Sequence, residues 1–321
     1  MLMLILILVG GCILLYAGAT WLVRGASELA TALGIPKAIV GLLLVAFGTS
    51  APELIVNLIA AYDGETSFAL ANVSGSNLTN LLIGFGLCGI LGGLIIPWRT
   101  FYLDLWALVL SATIPFVILL WHGDMPIVAV APLFVGVLGY IWTIRRRFQE
   151  HVPVESDADH LHPALSSLLF LLGATLLYGG GHLVLTGAID IAKKLSIEAS
   201  LVGLTLVAAG TSIPDAVASI VAARRGEDEI AVGNLLGSNI ANILVVLSGT
   251  LLAAWTGAPD EMVLVNLEAD DWTVWDYTAV LAASVGFFGA AARWERIGRF
   301  GGLLMITCFF LYMGLRVFFS V

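Results

Sequence analysis

Charged residues are scarce in this chain of 321 residues, since Asp, Glu, Lys and Arg together make up 12% of it. A soluble domain has about 25% charged and about 45–50% apolar residues, whereas 60% of this chain is apolar. Apolar runs long enough for a membrane-spanning helix, about 20 residues, recur from one end to the other. The alternating apolar pattern of a membrane β-barrel is absent. The composition therefore predicts an all-α polytopic membrane protein.

Only three cysteines occur, Cys12, Cys88 and Cys308, and each lies in an apolar run. They are typical of small packed side chains and not of a disulfide or metal set. The first apolar run also lacks the basic segment that begins a secretory signal, and it has a repeat partner around residues 170–193. We therefore expect it to be a retained helix. Nothing in the chain indicates a cofactor, and we expect no nucleic-acid partner.

Ten membrane spans are predicted, five in each half of the chain. Their approximate bounds are 2–30, 36–62, 67–94, 101–121, 126–146, 164–193, 198–223, 229–256, 273–292 and 300–319. We interpret the charged segment 147–163 as a solvated cytoplasmic linker. It joins an N-terminal five-helix repeat, residues 1–146, to a C-terminal one, residues 164–321.

The basic residues predict how these spans are oriented. With the N-terminus outside, most of the 14 lysines and arginines fall on the cytoplasmic side, as the positive-inside rule requires. Both termini are then outside. Because each half has an odd number of spans, the second half crosses the membrane in the opposite direction. The predicted fold class is therefore ten transmembrane helices arranged as two inverted five-helix repeats.

A fifteen-residue passage occurs twice, within repeated regions that cover 40–82 and 202–244. The first copy is VGLLLVAFGTSAPEL and the second is VGLTLVAAGTSIPDA, at an offset of 162. Each copy places an acid, Glu53 or Asp215, inside an apolar stretch, where a charge is costly and indicates function. Acids in equivalent places of two halves point to a transporter built from internal repeats.

Both copies carry oxygen atoms that suit hard cations. Gly48 and Pro52 are expected to break span 2 near its middle and to free backbone carbonyls there. The hydroxyls of Thr49 and Ser50 and the carboxylate of Glu53 add further ligands. Span 7 repeats this set as Gly210, Thr211, Ser212, Pro214 and Asp215.

A second pair of polar motifs lies on spans 3 and 8. Each has i, i+4 spacing and so lines one helix face: Asn72, Ser76 and Asn80, and then Asn234, Ser238 and Asn242. All six offer oxygen and none offers thiolate or imidazole, which favours Ca²⁺, Na⁺ or Mg²⁺. Two carboxylates neutralise one Ca²⁺, and an empty site would take up protons or monovalent cations. These motifs therefore predict exchange of one kind of cation for another.

Other polar residues receive weaker interpretations. Glu28 and Asp190 are a repeat-matched pair that we expect to anchor spans 1 and 6 at the membrane interface. Asp104 and Asp276 lie near span starts and are also expected at the interface. The repeat does not support His182 as a ligand.

The GTSAPE and GTSIPD sequences, with GSN at 75–77 and 237–239, resemble the α-repeats of the calcium/cation antiporter superfamily. The sodium/calcium exchanger family is the most similar branch, and the resemblance covers nearly the whole chain. It implies ten spans with both termini outside, in a prokaryotic inner or plasma membrane. It also implies exchange of Ca²⁺ for Na⁺, with spans 1 and 6 sliding against the other eight, and we expect a monomer surrounded by lipid.

The resemblance implies a role for each of a dozen residues. Glu53 and Asp215 would be ligands shared by Ca²⁺ and Na⁺, and Thr49 and Thr211 would add backbone carbonyls to the Ca²⁺ site. The remaining members would form flanking Na⁺ sites or complete the set: Ser50, Ser212, the carbonyls of Ala46 and Ala208, Ser76, Ser238, Asn80 and Asn242.

Three positions depart from the family pattern. Asp215 resembles the potassium-dependent branch, but Asn242 stands where that branch carries Asp, which argues against K⁺ coupling. Ala71 replaces a usual glycine and is expected to affect packing alone. No base is visible beside Ser50 or Ser212, which argues against a hydrolase. We therefore predict a secondary transporter, not an enzyme, that exchanges Ca²⁺ for Na⁺ by alternating access. The alternatives are a proton-coupled Ca²⁺/cation antiporter and a passive cation channel.

Overall fold

The computed structural model describes residues 2–150, 161–194, 208–257, 266–267, 269 and 272–320, and almost all of them are helical. The helices carry the numbers of the predicted spans. They are α1 (Leu2–Ala32), α2 (Lys37–Tyr62), α3 (Thr66–Leu91), α4 (Trp98–His122), α5 (Val130–Glu150), α6 (Pro163–Lys194), α7a (Ala208–Thr211), α7b (Ile213–Arg224), α8 (Asp228–Gly257), α9 (Thr273–Trp294) and α10 (Arg299–Ser320).

Nine helices in the described part of the chain are long and apolar enough to cross a membrane. They correspond to nine of the ten predicted spans, and the tenth is the predicted span 198–223. Its first residues, 198–207, lie outside the described ranges, and its described part consists of α7a and α7b. The predicted all-α polytopic membrane fold is therefore confirmed.

Two short β-ladders join turns that are distant in sequence, and the sequence did not predict them. β1 (Leu94–Ile95) pairs antiparallel with β4 (Arg296–Ile297), which ties the α3–α4 turn to the α9–α10 turn. β2 (Met125–Pro126) pairs antiparallel with β3 (Asn266–Leu267), which ties the α4–α5 turn to the connection before α9. Each ladder therefore joins the two halves of the chain.

The contact between α1 and α6 depends on small residues. A Cβ atom added at Gly18 would lie 2.6 Å from the backbone nitrogen of Leu177, so the two backbones approach closely. The repeat offset of 162 relates this contact to the one between Gly180 and Leu15. A Cβ atom added at Gly180 would lie 2.7 Å from the backbone nitrogen of Leu15. Small residues allow such close packing between membrane helices. The two first helices of the halves therefore pack antiparallel through matching surfaces.

The predicted break at Gly48 and Pro52 is wrong, because α2 continues as regular α-helix from Ala46 to Tyr62. A proline removes one backbone hydrogen bond from a helix, and contacts with neighbouring helices can compensate for this loss in a membrane protein. The irregular stretch lies earlier, where Gly41–Val45 forms a π-helical turn. In the second copy a break does occur, since Ser212 separates α7a from α7b.

The two acid-bearing helices run in opposite directions through the bundle. Gly41, near the start of α2, packs on Ile230, near the start of α8, and Tyr62, at the end of α2, packs on Gly257, at the end of α8. Helices α2 and α8 are therefore parallel to each other. Gly92, which follows α3, lies close to Ala223 at the end of α7b, and α7a packs against the first half of α3. Since α2 and α3 form a hairpin, α7b is antiparallel to α2, as inverted repeats require.

Asp104 and Asp276, which the sequence places near the starts of their spans, are both buried within the protein, at 1% and 4% exposure. Their expected place at the membrane interface stays a prediction. Asp104 on α4 forms an ion pair of 2.6 Å with Arg147 on α5 and accepts a hydrogen bond from Tyr140. Asp276 on α9 has the same kinds of partner on α10, an arginine at 2.8 Å and a tyrosine: Arg316 and Tyr312. In each helix pair, the arginine on the second helix balances the charge of the buried acid on the first.

Candidate functional site

The predicted site residues converge on a buried polar centre formed by α2, α3, α7 and α8. Glu53 and Asp215 are 1% and 0% exposed, and Ser212, which lies three residues before Asp215, contacts Glu53. Ser212 donates a hydrogen bond to Glu53 Oε1 at 3.3 Å, and Asn80 donates one to Asp215 Oδ2 at 2.7 Å. Each acid on one half of the chain therefore contacts a neutral donor on the other half.

Hydroxyl and amide groups complete this network between α2 and α8. The Ser50 and Ser238 hydroxyls are hydrogen-bonded at 2.9 Å. The Thr49 hydroxyl lies 2.9 Å from the Val45 carbonyl and 3.0 Å from Asn234 Oδ1. All are buried, and none carries a positive charge. The acids therefore face neutral oxygen- and nitrogen-bearing groups, which leaves their negative charge available to a cation.

Several buried oxygen atoms of the centre have no hydrogen-bond partner within the protein. These atoms are Glu53 Oε2, Asp215 Oδ1, Ser76 Oγ, Asn80 Oδ1 and Asn242 Oδ1. Buried polar atoms are nearly always satisfied by protein, water or an ion. Such a set of carboxylate, amide and hydroxyl oxygens fits the ligand preference of Ca²⁺ and Na⁺.

A conventional metal cluster is not the basis of this centre. In the described ranges no group of three or more His, Cys, Asp or Glu residues is arranged to hold a metal ion. Among the described residues the centre has two acids, and the other polar side chains around them are neutral. A cation bound in such a centre would meet few charges and many dipoles.

The structure describes the side chains of eleven predicted site residues, and all of them are buried: Ala46, Thr49, Ser50, Glu53, Ser76, Asn80, Thr211, Ser212, Asp215, Ser238 and Asn242. Hydrogen bonds join three pairs of them across the helices: Ser212 with Glu53, Asn80 with Asp215, and Ser50 with Ser238. The Ala46 carbonyl lies 3.3 Å from the Thr49 hydroxyl, and Ala208 is the first residue of α7a. The part of the second motif before Ala208, residues 202–207, lies outside the described ranges.

π-Helical turns mark α3 and α8 beside the centre, and the sequence did not predict them. They cover Thr79–Gly84 and Asn242–Val246, so they begin next to Asn80 and at Asn242, which match at the offset of 162. π-Turns occur often at functional sites because they shift side chains relative to a regular helix. Here they occur at the two predicted amide ligands.

Asn57 is a polar residue of this region that the sequence analysis missed. It lies one helical turn beyond Glu53 on α2 and is 1% exposed. The repeat offset of 162 matches it to Ser219, one turn beyond Asp215, which is likewise buried. A search for polar residues at matching positions one turn from each acid would have found this pair.

A small cavity of about 90 Å³ lies between α2, α6 and α7. Its lining includes both motif prolines, Pro52 and Pro214, and Tyr178 and His182 of α6. Thr211 lines the cavity too. Helix α6 therefore lies next to the prolines of both motifs. His182 borders this cavity, although the repeat does not support it as a ligand.

Comparison with known proteins gives one consistent result. The family described as sodium/calcium exchanger protein matches residues 3–144 and 165–318. A proposed antiporter, CaxA of Alkalimonas amylolytica, is 34% identical over 254 residues, or 76% of this chain and 79% of that protein. The sodium/calcium exchanger MaX1 of Methanosarcina acetivorans is 26% identical over 283 residues, or 75% of this chain and 81% of that one.

A solved structure has the same fold. The sodium-calcium exchanger NCX_Mj, soaked without Na⁺ and Ca²⁺, matches with a TM-score of 0.81 at 26% identity, covering 98% of this chain and 99% of that chain. The family match includes α2, α3 and α8 and the described part of α7, which together form the buried centre. This chain is therefore a member of the sodium/calcium exchanger family of membrane antiporters.

Proposed function

We propose that this protein exchanges Ca²⁺ for Na⁺ across the membrane. The observation that carries the proposal is that Glu53 and Asp215, on oppositely directed helices, are joined by cross-contacts from Ser212 and Asn80 in one buried centre that contains unpartnered oxygens. One Ca²⁺ balances both carboxylates. When Ca²⁺ leaves, the two negative charges need other cations, because an uncompensated buried charge is costly.

The ligands divide between the two ions in this proposal. Glu53 and Asp215 bind either Ca²⁺ or Na⁺, so the two ions exclude each other from the centre. Backbone carbonyls of Thr49 and Thr211 add to the Ca²⁺ site. Flanking Na⁺ positions and the remaining coordination use neutral groups: Ser50, Ser212, Ser76, Ser238, Asn80, Asn242 and the carbonyls of Ala46 and Ala208.

Sodium coupling is supported by two relatives, since MaX1 and NCX_Mj are both named sodium/calcium exchangers. It is also supported by the charge count. Asn80 and Asn242 are amides, so the centre has two acids and no third charge for an additional K⁺. Na⁺ is a hard cation that prefers oxygen ligands, and the centre offers neutral oxygens in addition to the two carboxylates.

Alternating access would use α1 and α6 as the moving pair. They pack closely on each other through glycine, and α6 also borders the small cavity beside both motif prolines. Movement of this pair would expose the centre first to one side and then to the other. We further propose a monomer in a prokaryotic inner or plasma membrane, with both termini outside.

Proton coupling is the second candidate, because Glu53 and Asp215 have no basic partner among the described residues. A carboxylate without a cation can bind a proton instead. A proton-coupled exchanger would use the same centre, and only the driving gradient would differ.

The test is ⁴⁵Ca²⁺ uptake by proteoliposomes with Na⁺, K⁺ and H⁺ gradients imposed separately. We expect uptake that requires Na⁺ inside the vesicles and low Na⁺ outside, with Glu53→Gln vesicles as the inactive control. Uptake driven by a pH gradient in Na⁺-free buffer would select proton coupling instead. Passive ⁴⁵Ca²⁺ entry without any counter-ion would contradict exchange.

A further inference from the structure

Two buried asparagines lie beside the central site but are not among its predicted ligands. Asn57 on α2 is 1% exposed and Asn72 on α3 is 2% exposed. The oxygen and the nitrogen of both side chains have no hydrogen-bond partner within the protein. A buried amide without partners is unfavourable, so this pair needs an account beyond packing.

Each asparagine lies one helical turn from a predicted ligand, and both turns lead in the same direction through the bundle. Asn57 follows Glu53 by one helical turn, and Asn72 precedes Ser76 by one turn. The helices α2 and α3 pack against each other and are joined by a short turn after Tyr62, so both asparagines lie on the side of the centre nearest that turn. Glu53 Oε2 and Ser76 Oγ, which adjoin them along the helices, are likewise unpartnered.

The matching position in the other half, formed by Ser219 and Asn234, is closed: its side chains are hydrogen-bonded within the protein. Asn234, the counterpart of Asn72, donates to Ser219 Oγ at 2.9 Å and to the Asp215 carbonyl at 3.1 Å. Its oxygen lies 3.0 Å from the Thr49 hydroxyl. Equivalent residues are therefore satisfied by protein at one end of the centre and unsatisfied at the other end.

The two positions lie toward opposite ends of the bundle. Ser219 and Asn234 lie toward the α7–α8 turn, where Glu227 forms an ion pair of 2.7 Å with Lys37 at the start of α2. Asn57 and Asn72 lie toward the other end of α2, where Tyr62 packs on Gly257. The difference between the two positions is therefore a difference between the two faces of the protein.

We propose that Asn57, Asn72 and the unpartnered oxygen of Glu53 form a further binding position for a monovalent cation of the Na⁺ class. Amide and carboxylate oxygens are hard ligands that suit such an ion. One carboxylate charge balances one monovalent ion, whereas a divalent ion would need Asp215 as well. The proposal rests on the proposed function, because it assumes a protein that binds Na⁺.

This position has a consequence for transport. An ion that arrives from the α2–α3 face reaches Asn57 and Asn72 before it reaches Asp215. The closed counterpart offers no such position from the α7–α8 face. Na⁺ therefore binds with different apparent affinity from the two faces, and the asparagines make the α2–α3 face the more sensitive one.

The direct test is equilibrium ²²Na⁺ binding to the purified full-length protein, together with ⁴⁵Ca²⁺ binding in Na⁺-free buffer. Asn57→Leu and Asn72→Leu remove the oxygen at similar side-chain size. We expect each to lose one bound Na⁺ per protein at saturation, or to need at least three-fold more Na⁺. We expect Ca²⁺ binding to change less than two-fold.

Ser219→Ala is the matched control, since it removes the oxygen at the closed counterpart. It should bind as much ²²Na⁺ as the unaltered protein. Asn57→Ser, which introduces the residue found at that counterpart, gives a second variant if a leucine variant does not elute as a folded protein. We expect it to weaken Na⁺ binding less than Asn57→Leu does.

The outcomes separate this proposal from the proposed function. Unchanged Na⁺ binding by folded variants would overturn the additional position and leave Na⁺/Ca²⁺ exchange standing. Equal loss of Ca²⁺ and Na⁺ binding by folded variants would place the asparagines in the shared central site and so overturn it too. Absence of ²²Na⁺ binding by the unaltered protein would overturn both proposals.

Discussion

Ser212, between α7a and α7b, donates a hydrogen bond of 3.3 Å to Glu53 on α2, although the two residues are 159 positions apart. Asn80 on α3 makes the reciprocal contact with Asp215 at 2.7 Å. Each acid is therefore positioned by the opposite half of the chain. Neither motif copy forms the centre alone, and a change in either half should affect the ion ligands of the other.

Removal of either acid's charge should abolish Ca²⁺ transport. Glu53→Gln and Asp215→Asn keep the side-chain size but leave one carboxylate for a divalent ion. We expect ⁴⁵Ca²⁺ exchange in proteoliposomes to fall at least 100-fold, with normal elution of the purified protein. Asp215→Glu, which keeps the charge, should retain measurable exchange with altered affinity. Normal transport by Asp215→Asn would show that the two carboxylates do not act as a pair.

A third acid should change the ion dependence. Asn242 is the repeat counterpart of Asn80, which contacts Asp215 directly. Asn242→Asp adds a negative charge that Ca²⁺ alone does not balance, so a further K⁺ or proton is required. We expect Ca²⁺ exchange by this variant to become dependent on K⁺ or on pH. Asn242→Leu, the uncharged control, should not gain that dependence.

The close contact between α1 and α6 should be needed for transport. A side chain at Gly18 meets the Leu177 backbone, whereas one at Gly10 on the same helix meets no atom within 4 Å. Gly18→Val should therefore lower Na⁺-driven ⁴⁵Ca²⁺ uptake at least ten-fold, and Gly10→Val should leave it within two-fold. Equal activity of the two variants would show that this contact is not part of the moving unit.

The buried ion pair of Asp104 and Arg147 should contribute more to stability than the more exposed pair of Lys37 and Glu227. Asp104 and Arg147 are 1% and 19% exposed, whereas Lys37 and Glu227 are 39% and 20% exposed. Asp104→Asn removes the carboxylate that balances the charge of Arg147, at a cost of about 3 kcal/mol. Glu227→Gln should cost about 1 kcal/mol or less. Thermal unfolding in detergent checks both values, and equal shifts in melting temperature would contradict this ranking.

The helices and the central residues could be predicted from the sequence because both depend on local pattern. Apolar runs indicate spans, and the offset of 162 matches Glu53 with Asp215 without any structure. The continuous helix through Pro52 could not be predicted, because it depends on what neighbouring helices contribute. The two-residue β-ladders are too short to leave a sequence signal.

The buried ion pairs were missed for a different reason. Asp104 and Tyr140 are 36 residues apart, and Asp276 and Tyr312 are also 36 apart. The two pairs match at an offset of 172 and not 162, because the connection before α9 is longer than its counterpart. A single offset therefore conceals that the last two helices of each half repeat the same Asp–Tyr contact.

Equilibrium ⁴⁵Ca²⁺ binding to the purified protein, titrated with NaCl against choline chloride, tests most directly whether Ca²⁺ and Na⁺ share the two carboxylates. We predict that Na⁺ displaces bound Ca²⁺ completely and competitively, that choline does not, and that Asp215→Asn does not bind Ca²⁺ in this range. Calcium that stays bound at saturating Na⁺, or Asp215→Asn protein that binds Ca²⁺ normally, would contradict a shared site at Glu53 and Asp215.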